Sequence, residues 1–303
     1  MNNLARRAAL ASVCSAILLG ALKAWAAWTT GSVAVLASLA DSVLDLFASL
    51  VTLGGVHWAS QPADENHRFG HGKAEALAAL FQVVVVAISA LAILIRAIER
   101  LQTGDVSASP ESGIIVSMIA IVVTLALTRY QQHVIDQTGS VAIGADRIHY
   151  TSDLMLNAAV IAALALDAWG LRGADPVFGI AIAFWLLFGA WRASEAAIDQ
   201  LMDKEWPEER RRAFVEVAAR NPALRSLHDL RTRSSGNRDF VQFHISMNPA
   251  MTILQAHDVV EALETELGAA FPGTEILIHV DPDGHVDEPE NPMTEANLLK
   301  DAE

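Results

Sequence analysis

Residues 34–58 read AVLASLADSVLDLFASLVTLGGVHW, an apolar run broken only by Asp41 and Asp45 before it reaches His57. A helix needs roughly 20 mostly apolar residues to cross a bilayer, so this stretch is long enough to span with some tilt. The two acids stand four apart and therefore share one helix face. A single unpaired charge at the bilayer centre costs about 3 kcal/mol on insertion scales, and two neighbouring carboxylates add mutual repulsion. A chain carries that cost where a cation or proton offsets it.

Working outward, five further runs have the same character, approximately 8–28, 76–100, 112–132, 141–168 and 175–200. The breaks between runs carry turn signals: Thr29-Thr30-Gly31-Ser32, Ser60 to Lys73, Thr103 to Gly113 and Gly170 to Pro176. Gln131, Gln132, His133 and Asp136 separate the fourth run from the fifth. Arg6 and Arg7 ahead of the first run resemble a signal peptide, but its length and the spans that follow make it a first transmembrane helix. With the N-terminus inside, the inner flanks hold Arg6, Arg7, Arg68, Lys73, Arg129, Arg147, Arg192 and Lys204. The outer flanks hold Arg96, Arg100 and Arg172, so both termini and the 59–75 loop are expected in the cytoplasm.

The chain is 52% hydrophobic yet carries a net charge of −14, so charge and hydrophobicity are segregated along it. From Pro207 onward the sequence reads as a soluble domain, with 9 Lys+Arg against 18 Asp+Glu. That acidity argues against a nucleic-acid partner, which needs a clustered basic surface. Cys14 is the one cysteine, which excludes an internal disulfide framework and a multi-thiolate metal site. Pro207–Arg220 and Leu254–Leu267 are expected as amphipathic helices. Ser226–Arg233 and Phe240–Met247 are expected as a hairpin, and Thr274–Val280 as a final strand. The order αββαβ predicts an α+β domain, one sheet with both helices on one face. Three regions follow: an all-α six-helix transmembrane domain (1–206), a cytoplasmic domain (207–285), and an acidic tail without fixed structure (286–303).

The fifth run repeats the device of the second, with His149 and Asp153 again four apart. Counted from the cytoplasmic ends, Asp45 and Asp153 stand about 12 or 13 residues in, roughly 20 Å at 1.5 Å per residue. Asp41, Asp45, His149 and Asp153 at one depth make an oxygen-plus-nitrogen set that suits tetrahedral Zn²⁺. The plain structural alternative pairs these acids with cations of other helices, but Lys23 is the one candidate deep in another span and cannot neutralise three acids. A proton relay without metal is the sharper rival. Asp64, His67 and His71 form a second candidate group in the loop. His228, His244, His257, His279 and Asp281 fall at element ends of the soluble domain, where they could converge. His57, His133 and His285 read as rim or surface residues, with His285 a weaker auxiliary candidate.

Asp41-x₃-Asp45, His149-x₃-Asp153, the loop Asp64-x₂-His67-x₃-His71-Gly72-Lys73-Ala74-Glu75 and the six-span-plus-αββαβ layout resemble the cation diffusion facilitator family, in register to about Asp281. The resemblance implies a homodimeric Zn²⁺/H⁺ antiporter of the bacterial inner membrane, with Cd²⁺ or Fe²⁺ as further cargo. It implies transport at Asp41, Asp45, His149 and Asp153, and a loop metal at Asp64, His67 and His71. It also implies a binuclear centre at His228, His244, His257, His279 and Asp281, with Asp281 bridging, in a metallochaperone-like domain. Lys73 and Asp203 match a Lys–Asp pair that interlocks the protomers. The chain departs from some relatives after the last strand, where Asp281-Pro282-Asp283-Gly284 carries no cysteine. Within the family a histidine at position 149 favours Zn²⁺ or Cd²⁺, and an all-oxygen site favours Mn²⁺. Two other classes, an intramembrane metalloenzyme and a pure metal sensor, would be told apart by peptide hydrolysis and by absence of flux; no His-Glu-x-x-His motif occurs.

Overall fold

The structure is a computed structural model that describes residues 2–30, 33–103, 111–168, 174–236, 238–284 and 297–301. His285, Gly31-Ser32 and most of the two other expected breaks, 104–110 and 169–173, lie outside them, as does 286–296 of the tail. The chain divides into two compact units, Met1–Ile198 and Asp199–Glu303.

The first unit is helical: α1 (Asn2–Thr30), α2 (Val33–Ala59), α3 (Ala74–Thr103), α4 (Glu111–Thr138), α5 (Val141–Ala168) and α6 (Ala174–Leu201), whose last turn runs into the second unit. Five of these contain stretches long and apolar enough to cross a membrane. The remaining one, α5, is equally long but carries Asp146, Arg147 and Asp153 within eight residues. Large side chains such as Trp28, Ile88, Val122, Phe188 and Trp191 are exposed on this unit, as befits helices whose outer face meets lipid. Its interior is built of small residues, among them Ala8, Ala9, Ala48, Ala79 and Ala142, which lets helices approach closely. The approach is tightest at Gly55 of α2, where a Cβ would stand 2.3 Å from Ala78 Cβ of α3.

One boundary differs from the sequence reading. The polar group Gln131 to Asp136 does not end α4, which continues to Thr138 and stops at Gly139, a residue with φ +64°. Gln131 is fully buried because its amide has partners inside the bundle, so its polarity does not mark a loop.

The second unit contains α7 (Glu208–Ala218), β1 (Ser226–Ser235), β2 (Arg238–Met247), α8 (Ile253–Ala270), β3 (Thr274–Pro282) and a short 3-10 turn, Leu298–Asp301. α7 follows Pro207, whose fixed φ suits a helix start, and opens with Glu208 and Glu209 against the helix dipole. Thr252 and Gln255 close a reciprocal capping box at the start of α8. The sheet order is β1-β2-β3, with β1 and β2 antiparallel and β2 and β3 parallel. Val241, Phe243 and Ile245 alternate along β2 into a core shared with Phe214, Leu263 and Leu267 of the helices. The tail expectation needs revision over its described end: Leu298 and Leu299 pack against this core, and Asn297 Oδ1 accepts the Leu227 N–H at 3.2 Å.

Candidate metal sites and family

In the helical unit, α2 and α5 bring Asp45, His149 and Asp153 together, with one donor atom from each within 4.8 Å of the others. His149 Nε2 lies 3.1 Å from Asp45 Oδ1 and 4.0 Å from Asp153 Oδ2. The imidazole is buried while both carboxylates keep partial exposure, an arrangement of donors around a reachable point. Neither buried ring nitrogen has a well-formed hydrogen bond among the described residues; the ring packs edge-on against Tyr150, centroids 5.4 Å apart, and faces the two carboxylates. Asp41 is exposed and stands outside the three-donor group, though near enough to Asp153 for their charges to act on each other.

A buried polar group that the sequence pattern does not single out lies one turn away. Asp146 is fully buried and accepts from Ser12 Oγ at 2.6 Å, Gln131 Nε2 at 2.7 Å and, more weakly, Gln82 Nε2 at 3.4 Å. Tyr150 donates to the Ser12 carbonyl at 3.0 Å and meets Ser49 Oγ at 2.8 Å. Side chains of α1, α2, α3, α4 and α5 thus meet beside the helix that carries His149 and Asp153. Lower on α5, Ser140 accepts the Ile143 N–H at 3.3 Å in N-cap fashion and donates to the buried Glu75 of α3. Asp146 was detectable in the sequence: it is an acid in an apolar run, three residues before His149.

The loop group is a compact turn. Asp64 Oδ1 accepts from the backbone N–H of His67 at 2.6 Å and of Asn66 at 2.9 Å. The His67 N–H foremost, with lesser help from Asn66 and the His67 ring, holds the Asp64 carboxyl below its ordinary range. His67 Nδ1 is 3.1 Å and His71 Nε2 3.4 Å from the two Asp64 oxygens. His71 Nδ1 is 3.2 Å from the Pro62 carbonyl; donating there would leave Nε2 as the lone-pair nitrogen facing Asp64, the orientation a ligand histidine needs.

In the soluble unit the sheet does the positioning. His228 pairs with His244 across β1 and β2, and His244 pairs with His279 across β2 and β3. Directly paired residues share a sheet face, so the three imidazoles form a row. An irregularity between His228 and Arg231, with Asp229 at φ 51°, puts one extra residue into β1, which turns both Leu227 and Leu230 into the core. Asp281 Oδ2 lies 3.1 Å from His244 and 3.6 Å from His228, and Oδ1 lies 3.3 Å from His279. One carboxylate therefore addresses imidazoles with both oxygens. His257, exposed in the first turns of α8, is not brought into this group. Lys73 stands half-buried just before α3, and Asp203 is exposed, at φ 56°, with Arg233 3.5 Å from its carboxylate.

Membrane-length helices holding facing carboxylate and imidazole donors, followed by a soluble α/β domain with its own donor cluster, define a membrane protein that handles cations. The sequence model of the cation efflux transmembrane domain matches residues 9–202, and that of the cation efflux protein cytoplasmic domain matches 206–283. The chain belongs to the cation diffusion facilitator family and is a cation efflux transporter. It is 44% identical to the cation-efflux pump FieF of Cronobacter sakazakii and 40% identical to that of Escherichia coli O127:H6. Each match covers 93% of this chain and 94% of the relative. A solved structure of CzrB in its zinc form is also similar, 38% identical with a TM-score of 0.25, covering 28% of this chain and 99% of that one.

Proposed function

We propose that the chain exports Zn²⁺ in exchange for protons by alternating access, as a homodimer in the bacterial inner membrane with both termini in the cytoplasm. Cd²⁺ and Fe²⁺ are secondary cargo. The observation that carries this reading is the approach of Asp45, His149 and Asp153 to one point between two membrane-length helices, where a cation or protons would offset the cost of the carboxylates. Asp41 completes the transport site as its fourth donor, brought in by the helix movement that alternating access requires. Because ligands must be deprotonated to hold a metal, protons arriving from outside release it, and His149 is the residue type best suited to exchange a proton near neutrality.

Asp64, His67 and His71 hold a second metal at the cytoplasmic loop. His228, His244, His279 and Asp281 hold the binuclear centre of the cytoplasmic domain (207–285), with Asp281 bridging and His257 joining once metal draws the start of α8 inward. This centre stabilises the dimer and acts as a sensor, and Lys73 and Asp203 interlock the protomers where the membrane domain (1–206) ends. The test is flux in sealed vesicles under an imposed pH gradient with a panel of divalent metals. Zinc movement coupled to counter-movement of protons is expected; zinc binding without flux would make the chain a sensor.

A further inference from the structure

We propose that Lys23 is a resident cation of the transport site, lowering its net negative charge so that a divalent ion is held loosely enough to leave. The proposal rests on the transport-site reading above and deepens it. Lys23 lies on α1 seven residues before Thr30, and Asp41 lies on α2 eight residues after Val33. At 1.5 Å per residue both stand about 10–12 Å from the ends that face each other across the short α1–α2 connection, one turn outward of Asp45. Lys23 Nζ donates to Ser42 Oγ at 2.7 Å. Ser42 is buried and sits in the turn between Asp41 and Asp45, so the ammonium is drawn onto the α2 helix at the level of the donors. Its charge also acts on Asp153 of α5. Packing permits this: a Cβ at Gly20, one turn below Lys23, would be in ordinary contact with Ser42 at 4.0 Å.

The charge balance gives the contact a purpose. An ammonium within a span is expensive, and carboxylates at the same level offset part of that cost. Ionised Asp41, Asp45 and Asp153 together carry −3, and with Lys23 the group carries −2, the complement of one divalent cation. Without the ammonium the site holds a surplus negative charge in a low-dielectric setting, and an ion bound there is released slowly. Repulsion between a unit charge and a divalent ion several ångströms apart is worth a tenfold to hundredfold change in affinity, on the order of what screened Coulomb interaction supplies.

The experiment is zinc flux through full-length protein in proteoliposomes, comparing wild type with Lys23→Gln, Lys23→Met, Lys23→Arg, Ser42→Ala and Asp45→Ala. Removing a charge from a span favours insertion, so the neutral variants are expected to fold. Lys23→Gln and Lys23→Met should each lower KM about tenfold or more and lower kcat with it, because binding tightens and release slows. Lys23→Arg should bring both constants back to within about threefold of wild type. Ser42→Ala, which removes the hydrogen bond and keeps the charge in the span, should shift both constants in the same direction as Lys23→Gln but by less. A neutral variant whose KM rises or stays unchanged overturns the proposal, as does Ser42→Ala reproducing the effect of Lys23→Gln in full. Wild-type flux in Asp45→Ala would instead overturn the transport-site reading itself, whatever Lys23 does.

Discussion

Replacing Asp146 by alanine tests whether the buried polar group between five helices holds α5 in place. The carboxylate accepts two short hydrogen bonds, from Ser12 at 2.6 Å and Gln131 at 2.7 Å, and a long one from Gln82 at 3.4 Å. All four side chains are fully buried, so truncation leaves the Gln82 and Gln131 amides short of an acceptor, while the Ser12 hydroxyl can turn to the Ala8 carbonyl at 3.2 Å. In soluble proteins each stranded donor costs about 1–3 kcal/mol. Interhelical hydrogen bonds in membranes average nearer 0.6 kcal/mol, because the unfolded helices also find partners. Part of the loss is recoverable here: Gln131 Nε2 also reaches Ser12 Oγ at 3.0 Å, and that bond survives the truncation. Two strong bonds and one weak one at intermediate values give a destabilisation of about 2–3 kcal/mol. The assay is reversible unfolding in mixed micelles by titration with a denaturing detergent, run as a double-mutant cycle of Ser12→Ala with Asp146→Ala. The cycle should return a coupling of about 0.6–1.7 kcal/mol. An Asp146→Ala midpoint equal to that of wild type, or a coupling of zero, would refute the claim that this carboxylate ties α1 and α4 to α5.

The Asp64 carboxyl is held below its ordinary range by backbone N–H groups, so its contribution to the loop turn is complete above about pH 4 and is lost only as pH falls through that lowered value. Asp64→Asn should therefore weaken zinc binding at the loop at pH 7.5, where the carboxylate is ionised, and zinc affinity unchanged by the substitution would contradict the reading. Asp281 faces three imidazoles with two oxygens, so Asp281→Ala should remove more tightly bound zinc per chain after dialysis than His279→Ala does; equal losses would count against a bridging role. A Cβ at position 55 meets Ala78 at 2.3 Å. Gly55→Ala should accordingly cost about 1–3 kcal/mol of detergent-state stability, with Ala78→Gly restoring much of it.

How far the sequence could be read depended on whether a signal was local or lay between helices. The spans, the 59–75 loop and the αββαβ order follow from apolar run length, turn residues and alternation, which act within one segment. The row His228, His244 and His279 was visible only as histidines near strand ends; which of them meet depended on the β1–β2 register and on the extra residue near Asp229. Asp45, His149 and Asp153 stood out because charge in a membrane is costly wherever it lies. Asp146, Gln82 and Gln131 obey the same rule, but both amides donate to the carboxylate across α3, α4 and α5, and a pattern confined to one helix cannot register such a bond. By its polarity Gln131 therefore reads as part of a break, whereas it lies at the middle of a network. Asp41 and His257 belong to the expected donor sets by spacing and resemblance, yet stand apart from the clusters seen here, since spacing fixes a shared face and not the rotation of that face toward a partner helix or sheet.

The central claim is that a metal ion crosses the membrane at the point where α2 and α5 present Asp45, His149 and Asp153. The most direct measurement is zinc-dependent proton movement in proteoliposomes containing Asp45→Ala, with the loop and cytoplasmic donors left intact. The account predicts that zinc flux and its accompanying proton flux both vanish while metal remains bound at the other two clusters. Exchange at the wild-type rate in that variant would contradict it.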